Sequence, residues 1–162
     1  MNNSEVEIID YKPEHFSLFR QFNRDWIEKY FEIEEADKKA LDEPDKYILG
    51  KGGFIFMARY KDEIVGTCSL LKIDDYTFEL AKMAVIDKAK GKGIGYLLGK
   101  HCIKAAQKAG ARKVELLSNT ILVPAISLYK KLGFKEVELP ITDYKRANIK
   151  MELNFDENCK SC

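Results

Sequence analysis

Seven short stretches of the chain either alternate apolar with polar residues or consist of short apolar runs. Both patterns are typical of β-strands when turn residues flank them. The predicted strands span residues 6–11, 54–60, 63–72, 77–86, 113–117, 134–139 and 149–155. Because only Lys61-Asp62 and Asp74-Asp75 separate the second, third and fourth of these, we predict an antiparallel meander there.

Four longer stretches repeat apolar residues every three or four positions, which predicts amphipathic helices. They span residues 14–30, 31–43, 94–109 and 124–132. Pro13 precedes the first, Pro44 follows the second, and Gly110 and Gly133 follow the last two, as is typical of helix boundaries. Further along, residues 45–51 have the composition of one more helical turn.

Aromatic residues form a stripe along the first predicted helix. The stripe consists of Phe16, Phe19, Phe22, Trp26 and Tyr30. Helical spacing of aromatic residues indicates a face that packs in the core more often than a pocket wall, so core packing is the prediction and a pocket wall is the alternative.

The elements follow the order strand, two helices, three strands, helix, strand, helix and two strands. A helix between the fourth and fifth strands allows those two to lie parallel. We therefore predict a mixed α/β fold with one domain over residues 1–155 and a tail over residues 156–162.

Composition and charge narrow the class of protein. The 162 residues are 46% hydrophobic with a formal net charge of +1, which suits a globular domain and gives no general attraction to nucleic acid. The first five residues lack a signal-peptide pattern, and no apolar run approaches the roughly 20 residues of a membrane span. A cytoplasmic protein without a membrane or nucleic acid partner is the expectation.

The four cysteines do not predict a disulfide framework or a metal site. Cys68 and Cys102 lie within apolar patterns and are predicted to be small buried side chains. Cys159 and Cys162 form a single C-x-x-C near the C-terminus, without the second pair or the histidines of a zinc site. We predict no bound metal.

A glycine and lysine loop connects the fourth strand to the third helix. It reads Lys90-Gly91-Lys92-Gly93-Ile94-Gly95. Glycines let a ligand approach the backbone, and a helix N-terminus attracts anions, so the loop is a candidate phosphate cradle. Taken alone, such a loop is more often a solvated turn.

Two phosphate motifs can be excluded from this loop. A mononucleotide P-loop needs Ser or Thr directly after Gly-Lys. Here Gly91-Lys92 is followed by Gly93, and then by Ile94 and Gly95, so no Ser or Thr is present. A dinucleotide fingerprint starting at Gly91 or Gly93 needs glycine at Tyr96 or Leu98 respectively. A nucleotide-binding switch is therefore disfavoured.

The remaining pattern, a basic residue followed by G-x-G-x-G, resembles the acetyl-CoA signature of the GNAT superfamily of N-acetyltransferases, with Lys90 where glutamine or arginine is usual. The strand that ends at Asn119 and the block Ala125-Ile126-Ser127-Leu128-Tyr129-Lys130-Lys131-Leu132-Gly133-Phe134 are also similar to this family. With the element order, the resemblance covers residues 6–155. Residues 79–85 and 26–41 also look like the acetyltransferase half of some bacterial regulator fusions.

The resemblance implies a mostly antiparallel sheet of about seven strands with four helices, in which a parallel pair splays apart to admit the pantetheine arm of acetyl-CoA. The implied cofactor-binding residues belong to the strand, the loop and the two later motifs. They are Met83, Ala84, Val85, Lys90, Gly91, Lys92, Gly93, Ile94, Gly95, Asn119 and Tyr129. Lys88 or Lys92 would reach a further phosphate of CoA.

The resemblance also assigns catalytic roles. Glu79 stands four residues before Met83, where part of the family has a general base, and Tyr129 matches the tyrosine that protonates the leaving thiolate. The backbone N–H of Val85 would polarise the acetyl carbonyl. Together these imply direct acetyl transfer to an amine without a covalent intermediate.

The alternative function is a regulatory module that binds acetyl-CoA without catalysis. The acceptor stays open between a small-molecule amine and a peptide. Acidic residues from Glu28 to Asp45, together with Trp26, Tyr30, Tyr76 and Tyr144, favour a cationic acceptor if they border the site. A homodimer is possible.

Overall fold

The computed structural model describes residues 5–141 and 145–155. Its strands are β1 Val6–Asp10, β2 Phe54–Tyr60, β3 Glu63–Asp74, β4 Thr77–Val85, β5 Lys113–Ser118, β6 Lys135–Val137 and β7 Ile149–Asn154. All seven predicted strands are present. Tyr144, Cys159 and Cys162 lie outside the described residues, and so does the predicted tail.

One mixed sheet contains all seven strands, in the order β1-β2-β3-β4-β5-β7-β6. The meander predicted from the two short turns is confirmed, because β2, β3 and β4 pair antiparallel in sequence. At the Lys61-Asp62 turn both residues have positive φ, 50° and 67°, as a tight hairpin requires.

The described residues contain five α-helices, one more than the four predicted. They are α1 Phe16–Tyr30, α2 Glu35–Asp42, α3 Pro44–Tyr47, α4 Ile94–Lys108 and α5 Val123–Leu132. The extra helix arises because Pro44 occupies the first position of a new helix, where its fixed φ and missing N–H are tolerated, as well as ending α2. Helix α2 begins at Glu35 because Glu34 and Asp37 form a capping box before it.

The helices cover both faces of the sheet and create two apolar layers. On one face, α4 and α5 pack against side chains such as Phe78, Leu116 and Met151. On the other face, α1 and α2 enclose Phe19, Ile27 and other side chains. Cys68 and Cys102 are free and fully buried, which confirms their prediction as core residues.

Strands β4 and β5 separate after a short parallel contact. Within the described residues they pair only at Thr77 with Lys113, Phe78 with Val114, and Glu79 with Glu115. β5 continues along β7, and β4 continues along β3, so a gap opens between them beyond Glu79. This is the splayed parallel pair that the resemblance implied.

A β-bulge shapes the β4 side of the gap. The β3 and β4 register jumps from Ser69 opposite Ala81 to Thr67 opposite Ala84. Lys82 and Met83 therefore share one position opposite Cys68, and Lys82 adopts a left-handed φ of 54°. A bulge of this kind redirects neighbouring side chains and bends the strand.

Candidate functional site

A single cavity of about 570 Å³ occupies the gap between β4 and β5. It is lined from both helical layers, by Tyr129 and Leu128 of α5 on one face of the sheet and by Trp26 of α1 and Phe31 on the other. The splayed strands therefore let the cavity pass through the sheet. Two reactants can enter such a passage from opposite faces and meet within it.

Most of the predicted cofactor-binding residues line this cavity. They are Met83, Ala84, Val85, Lys90, Gly91, Gly93, Ile94, Gly95, Asn119 and Tyr129, and both predicted catalytic residues, Glu79 and Tyr129, line it too. Among the described residues, β4 has no pairing partner on its β5 side after Glu79. Alternate backbone N–H and C=O groups of the strand therefore face the cavity instead of hydrogen-bonding to a neighbouring strand.

Two of the lysines predicted near CoA phosphates do not line the cavity. The Lys92 ammonium lies 5.4 Å from the centre of the Tyr60 ring, and Lys88 Nζ lies 2.8 Å from Glu63 Oε2. Both side chains therefore contact strands on the far side of the loop. Sequence spacing could not show this, because it does not fix the direction of a loop side chain.

The start of α4 forms the end of the cavity that is suited to anions. Gly91 and Gly93 have φ of 81° and 75°, a left-handed conformation that strains other residues. Gly93 is the N-cap and supplies no side-chain hydrogen bond to the first turn of α4. The first N–H groups of a helix have no intrahelical partner, so those of α4 face this end of the cavity.

A lysine that the sequence analysis did not select also lines this end. Lys131 of α5 reaches the cavity, where its ammonium lies 4.7 Å from the centre of the Tyr96 ring. Lys90 lines the cavity as well, and its Nζ lies 3.1 Å from Asp87 Oδ1. Lys131 was missed because its proximity to the loop depends on how α5 packs beside α4.

Glu79 lies where β4 and β5 begin to separate, directly opposite Glu115. Burial is the main cause that raises the pKa of Glu79 to about 7; Lys82 and Lys150 act in the opposite sense, and Glu115 raises it further. A carboxyl group with this pKa exchanges protons near neutral pH, which is the property of an efficient general base.

Tyr129 extends from α5 into the layer between the helix and the sheet. Its ring packs edge-on against Phe134 at a centroid distance of 6.2 Å. Burial, and to a lesser extent the nearby Cys68 thiol, raise the pKa of the Tyr129 hydroxyl above its ordinary value. The hydroxyl therefore carries its proton at neutral pH and can act as a donor.

Asn119 lines the cavity, but its side chain is bonded within the protein. Its Nδ2 donates to the backbone oxygen of Arg146 at 2.6 Å, and its Oδ1 accepts from the Ile121 N–H at 3.0 Å. These bonds fix the turn between β5 and α5 and tie it to the segment before β7. Asn119 thus shapes the cavity wall.

A buried ionic cluster lies behind the β4 wall of the cavity. Asp37 of α2 accepts from Lys82 Nζ at 2.8 Å and from both terminal nitrogens of Arg146 at 2.6 and 2.8 Å. Glu34 accepts from the backbone N–H of Lys145 and Arg146. The cluster joins α2, the β4 bulge and the segment before β7, and it was not foreseen, because its members are up to 112 positions apart.

The acidic stretch after α1 does not border the cavity. Glu79 is the one carboxylate among the described lining residues, and no Asp or Glu from Glu28 to Asp45 lines the cavity. Glu34 and Asp37 bind the cations of the buried cluster, while Asp42 pairs with Arg20 at 2.7 Å on the surface. The expectation that these acids would favour a cationic acceptor is therefore not supported.

The described residues contain neither a helix with the length and apolarity to cross a membrane nor a group of three or more His, Cys, Asp or Glu able to hold a metal ion.

Comparison with known proteins identifies relatives. The chain is 32% identical over 102 residues to the uncharacterized N-acetyltransferase YvbK of Bacillus subtilis, which covers 61% of this chain and 66% of that protein. It is 30% identical over 95 residues to human N-acetyltransferase 8B, covering 56% of this chain and 42% of that protein. The chain thus spans less than two thirds of the length of these relatives.

Solved structures share the fold. A GNAT-family acetyltransferase from Staphylococcus aureus Mu50 superposes with a TM-score of 0.83 and 22% identity, over 92% of this chain and 98% of that one. Spermidine N-acetyltransferase from Vibrio cholerae, in complex with CoA and spermine, gives a TM-score of 0.73 at 17% identity, over 94% and 96% of the two chains. At these identities the likeness is one of fold.

The family profile "Acetyltransferase (GNAT) family" matches residues 17–134, from α1 through the phosphate loop to the end of the Tyr129 block. The match includes β4, β5 and the helices that form the cavity between them. With well over half of its length matched, this chain belongs to the GNAT family of acetyltransferases.

Proposed function

We propose that this protein transfers the acetyl group of acetyl-CoA to a primary amine of a small molecule or peptide, by direct attack while both are bound. One observation carries the proposal. A single cavity joins an uncapped helix N-terminus, the unpaired edge of a splayed strand, and two titratable groups suited to a base and an acid, Glu79 and Tyr129.

The shape and chemistry of the cavity fit acetyl-CoA. The N–H groups at the start of α4, with Lys90 and Lys131, would hold the phosphates, because amides and lysines both favour anions. The free edge of β4 at Met83, Ala84 and Val85 would bind the amide groups of the pantetheine arm as a strand does. Bound in this way, acetyl-CoA supplies an acetyl group already activated as a thioester.

Glu79 would remove the proton that keeps the amine from attacking. An ammonium ion has no lone pair, and a carboxylate with a pKa of about 7 can accept its proton directly or through a water molecule. The position of Glu79 at the start of the gap places this carboxylate beside the passage through the sheet.

Tyr129 would donate a proton to the departing thiolate. Its raised pKa keeps the hydroxyl protonated until a strong base forms beside it. The backbone N–H of Val85, on the cavity wall, would stabilise negative charge on the acetyl oxygen. Asn119 would act by holding the wall, since its side chain is bonded within the protein.

The location of the two thiols within the described residues favours direct transfer over a covalent enzyme intermediate. Cys68 and Cys102 are fully buried, and neither lines the cavity. Burial raises the pKa of the Cys102 thiol, and the neighbouring Cys68 raises it further, so Cys102 is a poor nucleophile.

The proposal is tested by incubating the purified chain with acetyl-CoA and a broad panel of amines and peptides. CoA release is measured, and mass spectrometry identifies the acetylated products. We expect CoA release that depends on the amine, and acetyl-CoA should raise the melting temperature. Acetyl-CoA binding without transfer, unaffected by Glu79→Gln and Tyr129→Phe, would identify the alternative, a non-catalytic binding module. If the chain neither binds acetyl-CoA nor releases CoA, both functions are contradicted.

Two further predictions from the sequence stay predictions. Cell fractionation would test the cytoplasmic location, and light scattering of the purified chain would test the possible homodimer.

A further inference from the structure

We propose that the acetyl acceptor is a monoamine whose amino group is attached to an aromatic or other bulky apolar body, and that polyamines are poor acceptors. This inference rests on the proposed transferase function and specifies its second substrate. It is drawn from the side chains that line the cavity on the α1 face of the sheet.

Three aromatic side chains form that wall. Trp26 and Tyr30 are four residues apart at the end of α1, so they lie on one side of the helix, and Phe31 follows directly. The Trp26 and Phe31 rings meet edge to face at 6.3 Å, and Tyr30 and Phe31 lie 6.4 Å apart. Edge-to-face packing at these distances holds the rings in a fixed arrangement.

The wall lies at the edge of the core face of the same helix, because Trp26 and Phe31 pack against the buried cluster beneath α1. Phe19 and Ile27 are completely buried beneath α1, whereas Trp26 is only partly buried and Tyr30 is 45% exposed. Trp26 Nε1 donates to Asn23 Oδ1 at 3.3 Å, which satisfies the polar edge of the indole. What this wall offers a ligand is therefore mainly apolar ring surface.

The charges in the cavity suit one ammonium group and oppose several. Among the described lining residues Glu79 is the one carboxylate, and the cationic side chains are Lys82, Lys90, Lys131 and Arg146. Arg146 belongs to the aromatic end, because its guanidinium lies 5.9 Å from the Trp26 ring centre.

Carboxylates that the structure places near Glu79 and Arg146 are already engaged. Glu115, opposite Glu79, lies 2.9 Å from Lys150 Nζ. Asp37 is fully buried and binds Lys82 and Arg146, and Glu34 lies 3.4 Å from Arg146. A second or third ammonium group of a polyamine would leave water without a carboxylate to replace its hydration, at a high cost in free energy. A monoamine brings one positive charge, which Glu79 can accept as a proton.

Matched acceptors test the proposal on the purified chain with acetyl-CoA. 2-Phenylethylamine, ethylamine and spermidine share a primary amine and differ in ring and charge. We expect kcat/KM for 2-phenylethylamine to exceed that of each of the others by about tenfold or more, as burial of an apolar group in a pocket provides. A preference for spermidine, or equal values for ethylamine, would overturn the proposal.

Variants test the wall itself. Tyr30→Ala should lower kcat/KM for 2-phenylethylamine by about tenfold while kcat/KM for ethylamine and the KM for acetyl-CoA stay unchanged. Tyr76→Ala is the matched control, because Tyr76 is 52% exposed, lies at the turn between β3 and β4, and does not line the cavity. Equal effects of the two variants would contradict the proposal.

Trp26→Leu should produce a larger loss than Tyr30→Ala, and only for the aromatic acceptor. Because Trp26 is partly buried, folding of the Trp26→Leu variant should be checked by circular dichroism. If that variant does not fold, the Tyr30→Ala variant still tests the proposal, because Tyr30 is exposed. Transfer to spermidine alone would overturn this inference and leave the transferase function intact. No transfer to any amine would overturn both.

Discussion

Lys82 and Asp37, 45 positions apart, form an ion pair of 2.8 Å in which the lysine is only 7% exposed and the aspartate is fully buried. Lys82 is also the left-handed residue of the β4 bulge, with φ of 54°. The pair therefore joins α2 to the strained point of the strand that lines the cavity. An anchored side chain offsets the cost of an unusual backbone conformation.

Asp37→Asn should destabilise the fold by about 3–5 kcal/mol, because it removes the carboxylate charge that buried Lys82 and partly buried Arg146 share. Urea unfolding measures this loss. Asp42→Asn is the control: Asp42 pairs with Arg20 at 2.7 Å on the surface, and loss of such a pair costs about 1 kcal/mol or less. Equal losses of unfolding free energy in the two variants would show that the cluster stabilises the fold no more than a surface ion pair does.

The same cluster predicts a dependence of stability on acid. Burial alone would raise the pKa of Asp37, but hydrogen bonds from Arg146 and the charge and hydrogen bond of Lys82 lower it to about 2. Since the folded pKa lies below the ordinary value of 3.8, this contribution to stability is present above about pH 4 and is lost as the pH falls towards 2. Asp37→Asn should flatten the pH dependence of the unfolding free energy in that window.

Glu79→Gln should lower turnover at pH 8 by about 100-fold or more and abolish the acid limb of the pH profile. In the wild type the carboxylate is the active form, so kcat/KM should fall as the pH drops below about 7. A profile with an unchanged limb in the variant would remove Glu79 from the mechanism.

Glu79→Gln should also stabilise the protein, by about 1–3 kcal/mol at pH 8. Because the folded pKa is raised from 4.5 to about 7, ionisation of partly buried Glu79 costs free energy. This cost grows between these two pH values and is complete above 7. Thermal unfolding at pH 5 and pH 8 measures it, and we expect little gain at pH 5, where Glu79 is protonated.

Tyr129→Phe should lower turnover by about 10- to 1000-fold with little change in acetyl-CoA affinity, since it removes only the hydroxyl proton. Single-turnover kinetics and a thermal shift with acetyl-CoA separate the two effects. Tyr47→Phe is the control, because Tyr47 ends α3 and does not line the cavity. Unchanged turnover in Tyr129→Phe would exclude the tyrosine as the acid.

Gly91→Ala and Gly110→Ala form a matched pair for the phosphate loop. Both glycines have left-handed φ, 81° and 88°, and an added methyl group would meet no atom within 4 Å at either. Each variant should therefore lose about 1–2 kcal/mol of stability from backbone strain. Only Gly91→Ala should weaken acetyl-CoA binding, because Gly91 lines the cavity.

The splayed pair β4 and β5 could be predicted through the family resemblance. The patterns that carry this resemblance, namely the strand patterns, the glycines of the loop and the block around Tyr129, are local in sequence. The number of helices could not be predicted, since Pro44 can end one helix or begin another, and only the surrounding packing decides that it does both. The direction of each lysine near the loop was equally undetermined. Lys92 and Lys88 contact β2 and β3, and Lys131 of α5 is in the cavity instead.

The sequence by itself determined the order of strands and helices, because that order follows from periodicity. Short motifs and the family resemblance predicted Glu79, Tyr129 and the loop glycines as site residues; all of these line the cavity, and their roles stay predictions. Tertiary structure alone decided the aromatic wall at Trp26, the cluster around Asp37 and the absence of the acidic stretch from the described cavity lining. These depend on which residues meet across the sheet, and the free energy of such contacts is set by packing and burial between positions far apart in the chain.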